Sequence, residues 1–473
     1  MHDVAESPPP RPAVTPEEKS RIEARFASHI SRGQVALLRA AHLDVLETAR
    51  DGVRFRDPTL GRAFFDAFTS AGCFNVGRHN PAVVDALVRA LDEVDVGSYL
   101  WVSPAKVAFA ERLTSLAPGD LKRVFFAAGG GDAIDGALKL ARGATGRAEV
   151  LSTVKAYHGH TGLALSANGK PHYRQRFEPL DPAFRMLPFN DLDAMEAAAS
   201  ERTAAIILEP VQGEAGIFPA DGGYLRGLRA LCDRTGALLV FDEVQTGFGR
   251  TGRLFACEHS GVVPDLLVLA KSIGGGIYPN GAVLYRARAP LTDFVERHPD
   301  FHPSTCGGSD LGCRVSLAVL DYLVTNRLWE NADRQGTRLL AALRALRQES
   351  PRILKDVRGQ GLMVGVEYLH EFMGPMMADA LAKEGVFAAF SGNAPQVMRF
   401  MVPLSITDAE MSELIAAIRR AFAAMRTLLP VALPAARIPG VLRLLNDESV
   451  QATLFGILRR LEDAAARLRR SVR

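Results

Sequence analysis

The sequence has few cysteines, almost no net charge and no long apolar run, and each absence removes a class of function. Cys73, Cys232, Cys257, Cys306 and Cys313 are the only five cysteines in 473 residues. They are scattered and odd in number, and none forms a C-x-x-C pair, so neither a disulfide framework nor a thiolate metal site is indicated. Reduced thiols in a cytoplasmic protein are the expectation. The 56 basic residues nearly cancel the 53 acidic ones, and a charge of +3 gives no footprint for nucleic acid or an anionic membrane. No apolar run reaches the length of a membrane span. The opening MHDVAESPPPRPAVTPEEKS carries acids and prolines where a secretory signal would have an apolar core. No internal repeat is visible. A chain of this length builds a large core and ordinarily two or three domains.

Against these absences stands one dense stretch, residues 237–282. Ala237-Leu238-Leu239-Val240-Phe241 and Leu266-Leu267-Val268-Leu269-Ala270 read as strands buried on both faces. The first run is followed by Asp242, the second by Lys271, and glycine-rich turns come after both. Ligands of open α/β sheets gather beyond the carboxyl ends of the strands, which would bring both charges into one crevice. An acid and a lysine so placed suit pyridoxal phosphate (PLP), held as a Schiff base on a lysine while a carboxylate keeps its pyridine nitrogen protonated. A structural ion pair, or two unrelated strand-end charges, fits the same two residues.

Other motifs follow the same plan. Arg123-Val124-Phe125-Phe126-Ala127-Ala128 reads as a strand, then Gly129-Gly130-Gly131 opens a helix from Asp132 through Arg142. Glycines there let backbone amides close on an anion, with the helix dipole assisting; the spacing is not that of a dinucleotide fingerprint. Tyr157-His158-Gly159 sets a ring beside a clearance-giving glycine, which suits stacking on a flat heterocycle or a core tyrosine in a turn. Ala204-Ala205-Ile206-Ile207-Leu208 is a further buried strand, ending in Glu209-Pro210-Val211-Gln212-Gly213-Glu214-Ala215-Gly216.

The words Asp242-Glu243-Val244-Gln245-Thr246-Gly247-Phe248-Gly249-Arg250-Thr251-Gly252, Pro264-Asp265 and Leu269-Ala270-Lys271-Ser272-Ile273-Gly274-Gly275-Gly276 resemble the class III aminotransferases, the group of the ornithine, acetylornithine, putrescine and 4-aminobutyrate enzymes. Motifs in the same order extend the resemblance over about residues 50 to 430. It implies an α/β architecture of the type I PLP-dependent transferase fold, with a large, mostly parallel sheet domain and a small C-terminal α/β domain. It also implies that Lys271 bears the imine and shuttles the proton, that Asp242 fixes the pyridinium, and that Val244 packs on the ring face opposite Tyr157. His158 belongs to the aromatic-His-Gly word, Gln245 sits near the phenolic oxygen, and Glu209 supports Asp242. Gly130 and Gly131 hold the phosphate, joined by Thr305 of a second subunit, in Phe301-His302-Pro303-Ser304-Thr305-Cys306-Gly307-Gly308-Ser309. Arg399 forks onto the substrate α-carboxylate, and Glu214 pairs with it and moves aside for dicarboxylates.

Three departures accompany the resemblance. Gly129 and Gly131 replace hydroxyl residues of the family loop, Asp132 replaces Glu, and Ile134 replaces a frequent Asn. His160 stands in the substrate region where many relatives have an arginine that in some reads a second carboxylate. Binding of 2-oxoglutarate or glutamate in the usual manner is therefore not implied. The phosphate site is expected to be looser, or compensated from elsewhere.

The boundaries expected are 1–75 for an N-terminal extension and hairpin, 76–330 for the PLP domain, 331–430 for the small domain and 431–473 for a helical extension. Ile22, Phe26, Ile30, Leu37, Leu38, Ala41 and Val45 repeat at helical spacing, to pack in the core or cap a partner subunit. Val441, Leu442, Leu444, Leu445, Leu454, Ile457, Leu458 and Leu461 suggest two more amphipathic helices. The function implied is transfer of an amino group from an amine or amino acid to a 2-oxo acid, in a cytoplasmic homodimer with shared active sites and no metal. Decarboxylation, racemisation or carbon–carbon bond formation on the same fold stays open, as does a non-catalytic scaffold.

Overall fold

Consecutive residues of the central strands divide between two cores. Leu239 and Phe241, Leu267 and Leu269, and Ile206 and Leu208 face one apolar cluster. Leu238 and Val240, Leu266 and Val268, and Ala205 and Ile207 face the other. A period of two with both faces covered requires continuous apolar runs, which is why these segments carry no alternation in sequence. Each buried Leu, Ile or Phe contributes roughly 1.5–3 kcal/mol.

The computed structural model describes residues 14–40, 44–47, 49–57, 62–97 and 101–436. Across its seven-stranded sheet the strands run in the order Arg123–Ala127, Gly281–Tyr285, Leu266–Leu269, Leu238–Asp242, Thr203–Leu208, Glu149–Thr153 and Phe184–Leu187. Gly281–Tyr285 is antiparallel to both its neighbours, and the remaining pairings are parallel. The helix Gly130–Thr145 packs on one face with Ala133, Ile134, Ala137, Leu138, Leu140 and Ala141 buried. Gly222–Thr235 and Asp310–Thr325 pack on the other.

A second, antiparallel sheet orders Leu354–Gln360, Met363–Tyr368, Ala394–Phe400 and Ala389–Ser391. The helices Leu328–Glu349, Met373–Lys383 and Asp408–Ala436 accompany it. The last opens with a capping box: Glu410 accepts from the Thr407 amide at 2.8 Å, and the Glu410 amide donates to the Thr407 hydroxyl at 3.3 Å. The expected N-terminal hairpin forms from Arg54–Asp57 and Arg62–Asp66. Its outer edge pairs in parallel with Val386–Phe387, so it is joined to the later part of the chain.

The N-terminal helix departs from expectation. It is interrupted by a π-helical turn, Ala27–Ser31, between Pro16–Phe26 and Arg32–Ala40. The wider turn rotates the apolar stripe. Ile22, Ile30 and Leu37 are 38%, 64% and 54% exposed, and Val35 is buried. Core packing within one chain is thus not their role. Ala41, and the helices expected around Val441 to Leu461, lie outside the described residues.

Candidate active site

Three charges leave the carboxyl ends of three adjacent parallel strands. Asp242 closes the central one, Lys271 follows Leu266–Leu269 on one side, and Glu209 follows Thr203–Leu208 on the other. The register pairs Asp242 with Val268, and Phe241 with Leu208, which sets Asp242 and Glu209 at one level.

Asp242 is buried and held from both sides. Its Oδ2 lies 2.7 Å from His158 Nδ1, and its Oδ1 accepts the Val244 amide at 3.0 Å. A ring nitrogen so close to a carboxylate carries the hydrogen. The His158 amide donates to Asn168 Oδ1 at 2.7 Å, while Asn168 Nδ2 donates to the Gly159 carbonyl at 2.7 Å. His158 therefore lies behind Asp242 and orients it. Glu209 accepts the Tyr157 and Gly213 amides, each at 3.0 Å. Burial pushes its carboxyl up to about 7 against the pull of His158, and the charge of Asp242 adds to the rise.

Lys271 adopts a left-handed backbone, φ 48°, a conformation that costs a non-glycine residue about 1–2 kcal/mol. The buried turn Ser272-Ile273-Gly274 that follows holds it there. Cys73 is near enough for Lys271 to favour its thiolate, although burial dominates and raises the thiol overall.

The glycine loop closes onto the same spot. A Cβ built on Gly130 would lie 3.2 Å from Val244 Cγ1 and 3.6 Å from the Ala270 Cβ. The helix start thus abuts both the residue after Asp242-Glu243 and the residue before Lys271. Asp132 tightens the loop by accepting the Ala128 amide at 2.8 Å. Ile134, at the frequent Asn position, is fully buried.

Gln245 Nε2 donates to the Ala71 carbonyl at 2.9 Å, and a Cβ on Gly213 would lie 1.6 Å from Gln245 Oε1, so any larger residue there would displace the Gln245 side chain. Tyr157 and His160 pack edge-to-face with ring centroids 5.4 Å apart, and Tyr173 lies 5.3 Å from the first and 5.5 Å from the second. Burial drives the Tyr173 phenol up to about 12, with Glu214 adding. Buried Arg399 pairs with Glu214 through its Nη1. Burial resists ionisation of Glu214, but Arg399 outweighs it and holds the carboxyl below its usual range. Gly392 completes this corner, its amide 3.2 Å from Glu214 Oε2. Thr305 is exposed, on a loop whose Gly307 packs against Ala127 and Ala128. Within one chain it reaches none of these groups by a hydrogen bond.

Asn168, Tyr173 and Thr161 are not legible in the sequence. They sit in loops or short helices, where neither periodicity nor charge marks them. Among the described residues no cluster of His, Cys, Asp and Glu could hold a metal, and all five cysteines are free.

The donor set suits PLP: amides at a glycine cradle, a fixed carboxylate and a lysine in a left-handed backbone gather at the carboxyl ends of the central strands. Similar proteins point the same way. The family described as Aminotransferase class-III matches residues 39–422. The chain belongs to the class III aminotransferase family. This class III aminotransferase is 38% identical over 393 residues to an uncharacterized aminotransferase of Archaeoglobus fulgidus, covering 83% of this chain and 92% of that one. It superposes on the ornithine aminotransferase of Toxoplasma gondii ME49 with a TM-score of 0.80 at 28% identity, covering 86% of this chain and 96% of the other. In a second structure of that Toxoplasma enzyme PLP partly occupies the active site. An (S)-enantioselective omega-transaminase of Thermomicrobium roseum matches with a TM-score of 0.78 at 30% identity, over 86% and 98% of the two chains. The fold is that of PLP-dependent class III aminotransferases, and the protein is a PLP-dependent transaminase. No helix among the described residues is long and apolar enough to cross a membrane.

Proposed function

We propose that this enzyme moves an amino group between an amine or amino acid and a 2-oxo acid through Lys271, in a cytoplasmic homodimer. The observation that carries the assignment is the position of Gly130, where a Cβ would lie 3.2 Å from Val244 Cγ1 and 3.6 Å from the Ala270 Cβ, beside the turns bearing Asp242 and Lys271.

PLP, when bound, supplies an electrophilic carbonyl and an electron-withdrawing ring. The Gly130 and Gly131 amides take its phosphate. Asp242, kept in place by His158 and the Val244 amide, stabilises a protonated ring nitrogen, and buried Glu209 backs this arrangement. Tyr157 and Val244 would hold the ring from its two faces, and Gln245 would lie on the side of its phenolic oxygen. Lys271 Nζ would be the base that takes and holds the proton of the substrate carbon next to the amino group. Arg399 receives a substrate carboxylate once Glu214 turns away, and His160 lines the same region. Thr305 would complete the phosphate site of the neighbouring subunit, a role consistent with its exposure and with its making no side-chain hydrogen bond among the described residues. The exposed Ile22, Ile30 and Leu37 fit burial against that second copy.

The test is spectroscopic. Donor alone should shift the visible absorbance of the holoenzyme, and pyruvate or another 2-oxo acid should restore it. Turnover of the donor without any acceptor would replace transamination by another PLP reaction.

A further inference from the structure

The substitutions in the glycine loop have a counterpart in the next loop. Residue 131 is glycine at the position where the family resemblance implies a hydroxyl side chain. A Cβ built there would lie 2.8 Å from Thr161 Oγ1 and 3.3 Å from Thr161 Cγ2. Thr161 therefore already fills the space that a side chain at 131 would use. Gly159 permits the approach: its own Cβ would stand 3.0 Å from the Gly131 Cα, and its φ of 129° suits glycine.

The hydroxyl is available because another residue does its ordinary work. Thr161 is the N-cap of the helix Gly162–Ala167, where a threonine oxygen normally accepts a first-turn amide. It makes no such bond. Asp135, on the glycine-started helix, substitutes by accepting the Ala164 amide through Oδ1 at 2.8 Å. The Thr161 side chain is exposed and has no hydrogen-bond partner among the described residues.

We propose that Thr161 is a phosphate-binding residue whose hydroxyl donates to the PLP phosphate and replaces the hydroxyl missing from position 131. The proposal rests on the reading of Gly130 and Gly131 as the phosphate cradle. Asp135 then acts as a positioning residue that keeps the threonine free.

The test is titration of apoprotein with PLP, followed by absorbance and fluorescence. Thr161→Val removes the hydroxyl at nearly constant volume on an exposed side chain. It should raise the PLP Kd about 10- to 100-fold, the loss of one hydrogen bond to a charged group. Thr161→Ser should recover most of the affinity. Pyridoxal, which lacks the phosphate, should bind wild type and Thr161→Val alike. Gly131→Thr alone should weaken PLP binding by crowding Thr161, and the double variant Gly131→Thr/Thr161→Ala should regain it by returning the hydroxyl to 131. Wild type and Thr161→Val binding PLP equally would overturn the role of Thr161 while leaving the cradle intact. Failure of wild type to bind PLP at all would overturn the cradle and, with it, this proposal.

Discussion

His158 Nδ1 and Asp242 Oδ2 lie 2.7 Å apart inside the protein, and the Val244 amide holds the other carboxylate oxygen at 3.0 Å. A carboxylate fixed from two directions presents a set charge without reorganising. Asp242→Asn should lower kcat by about 10²-fold or more, the scale of removing one preorganised charged group from a buried site. His158→Ala should cost about 10- to 100-fold. Steady-state kinetics gives both values, with borohydride labelling of Lys271 as the check that the fold persists. An unchanged kcat in Asp242→Asn would remove the charge from the mechanism.

Lys271 is the only amine assigned to the chemistry. Lys271→Ala should lower kcat by at least about 10⁴-fold, the upper range for one acid–base group. After borohydride reduction, peptide mass analysis should find no cofactor adduct in the variant and a single one, at 271, in the wild type.

Arg399 and Glu214 set a division between substrates. Arg399→Ala should raise KM for donors bearing a carboxylate about 10- to 100-fold. Simple amines, having nothing for the guanidinium to hold, should be affected little. Their relative KM values decide the point.

Glu209 gives a pH dependence of stability. Burial raises its carboxyl from 4.5 to about 7. Between those values the folded chain keeps a proton that the unfolded chain has released. The unfolding free energy therefore falls as pH rises through that window. Glu209→Gln should flatten the slope by the order of a few kcal/mol across it, seen by urea unfolding of apoprotein at several pH values. Glu243, which burial also raises to about 7, leaves a residual slope in the variant.

Helix propensity and packing disagree at Gly143. Alanine is favoured over glycine inside a helix by about 1 kcal/mol. Here a Cβ would sit 2.2 Å from the Phe294 ring. Packing should win, with Gly143→Ala costing about 1–3 kcal/mol net as a lowered Tm.

Much of the central machinery is legible in the sequence because it is written in continuous apolar runs that end in a charge. Leu238–Asp242 and Leu266–Leu269 fall within a residue or two of the runs that mark them. The glycine-started helix begins at Gly130 rather than Asp132, since a helix boundary follows backbone hydrogen bonds that a sequence does not display. The antiparallel Gly281–Tyr285 strand carries no sign of its direction: it is as apolar as its neighbours, and direction leaves no mark on composition. Tyr173 and Asn168 are hidden for another reason. Their importance comes from what tertiary packing brings beside them, namely Tyr157 and His158. The π-turn at Ala27–Ser31 defeats the reading of the N-terminal stripe, because a single wide turn changes which residues share a face.

The parallel pairing of Arg62–Asp66 with Val386–Phe387 governs the order in which the chain can be completed. The Phe65 amide donates to the Gly385 carbonyl, and the Ala67 amide to the Phe387 carbonyl, each at 2.8 Å. About 320 residues separate the partners, so at roughly 5–20 residues per second the hairpin emerges from the ribosome and waits about 15–60 s with an open strand edge. A nascent or truncated chain that stops short of residue 387 carries that edge permanently, a template for association with another unfinished copy.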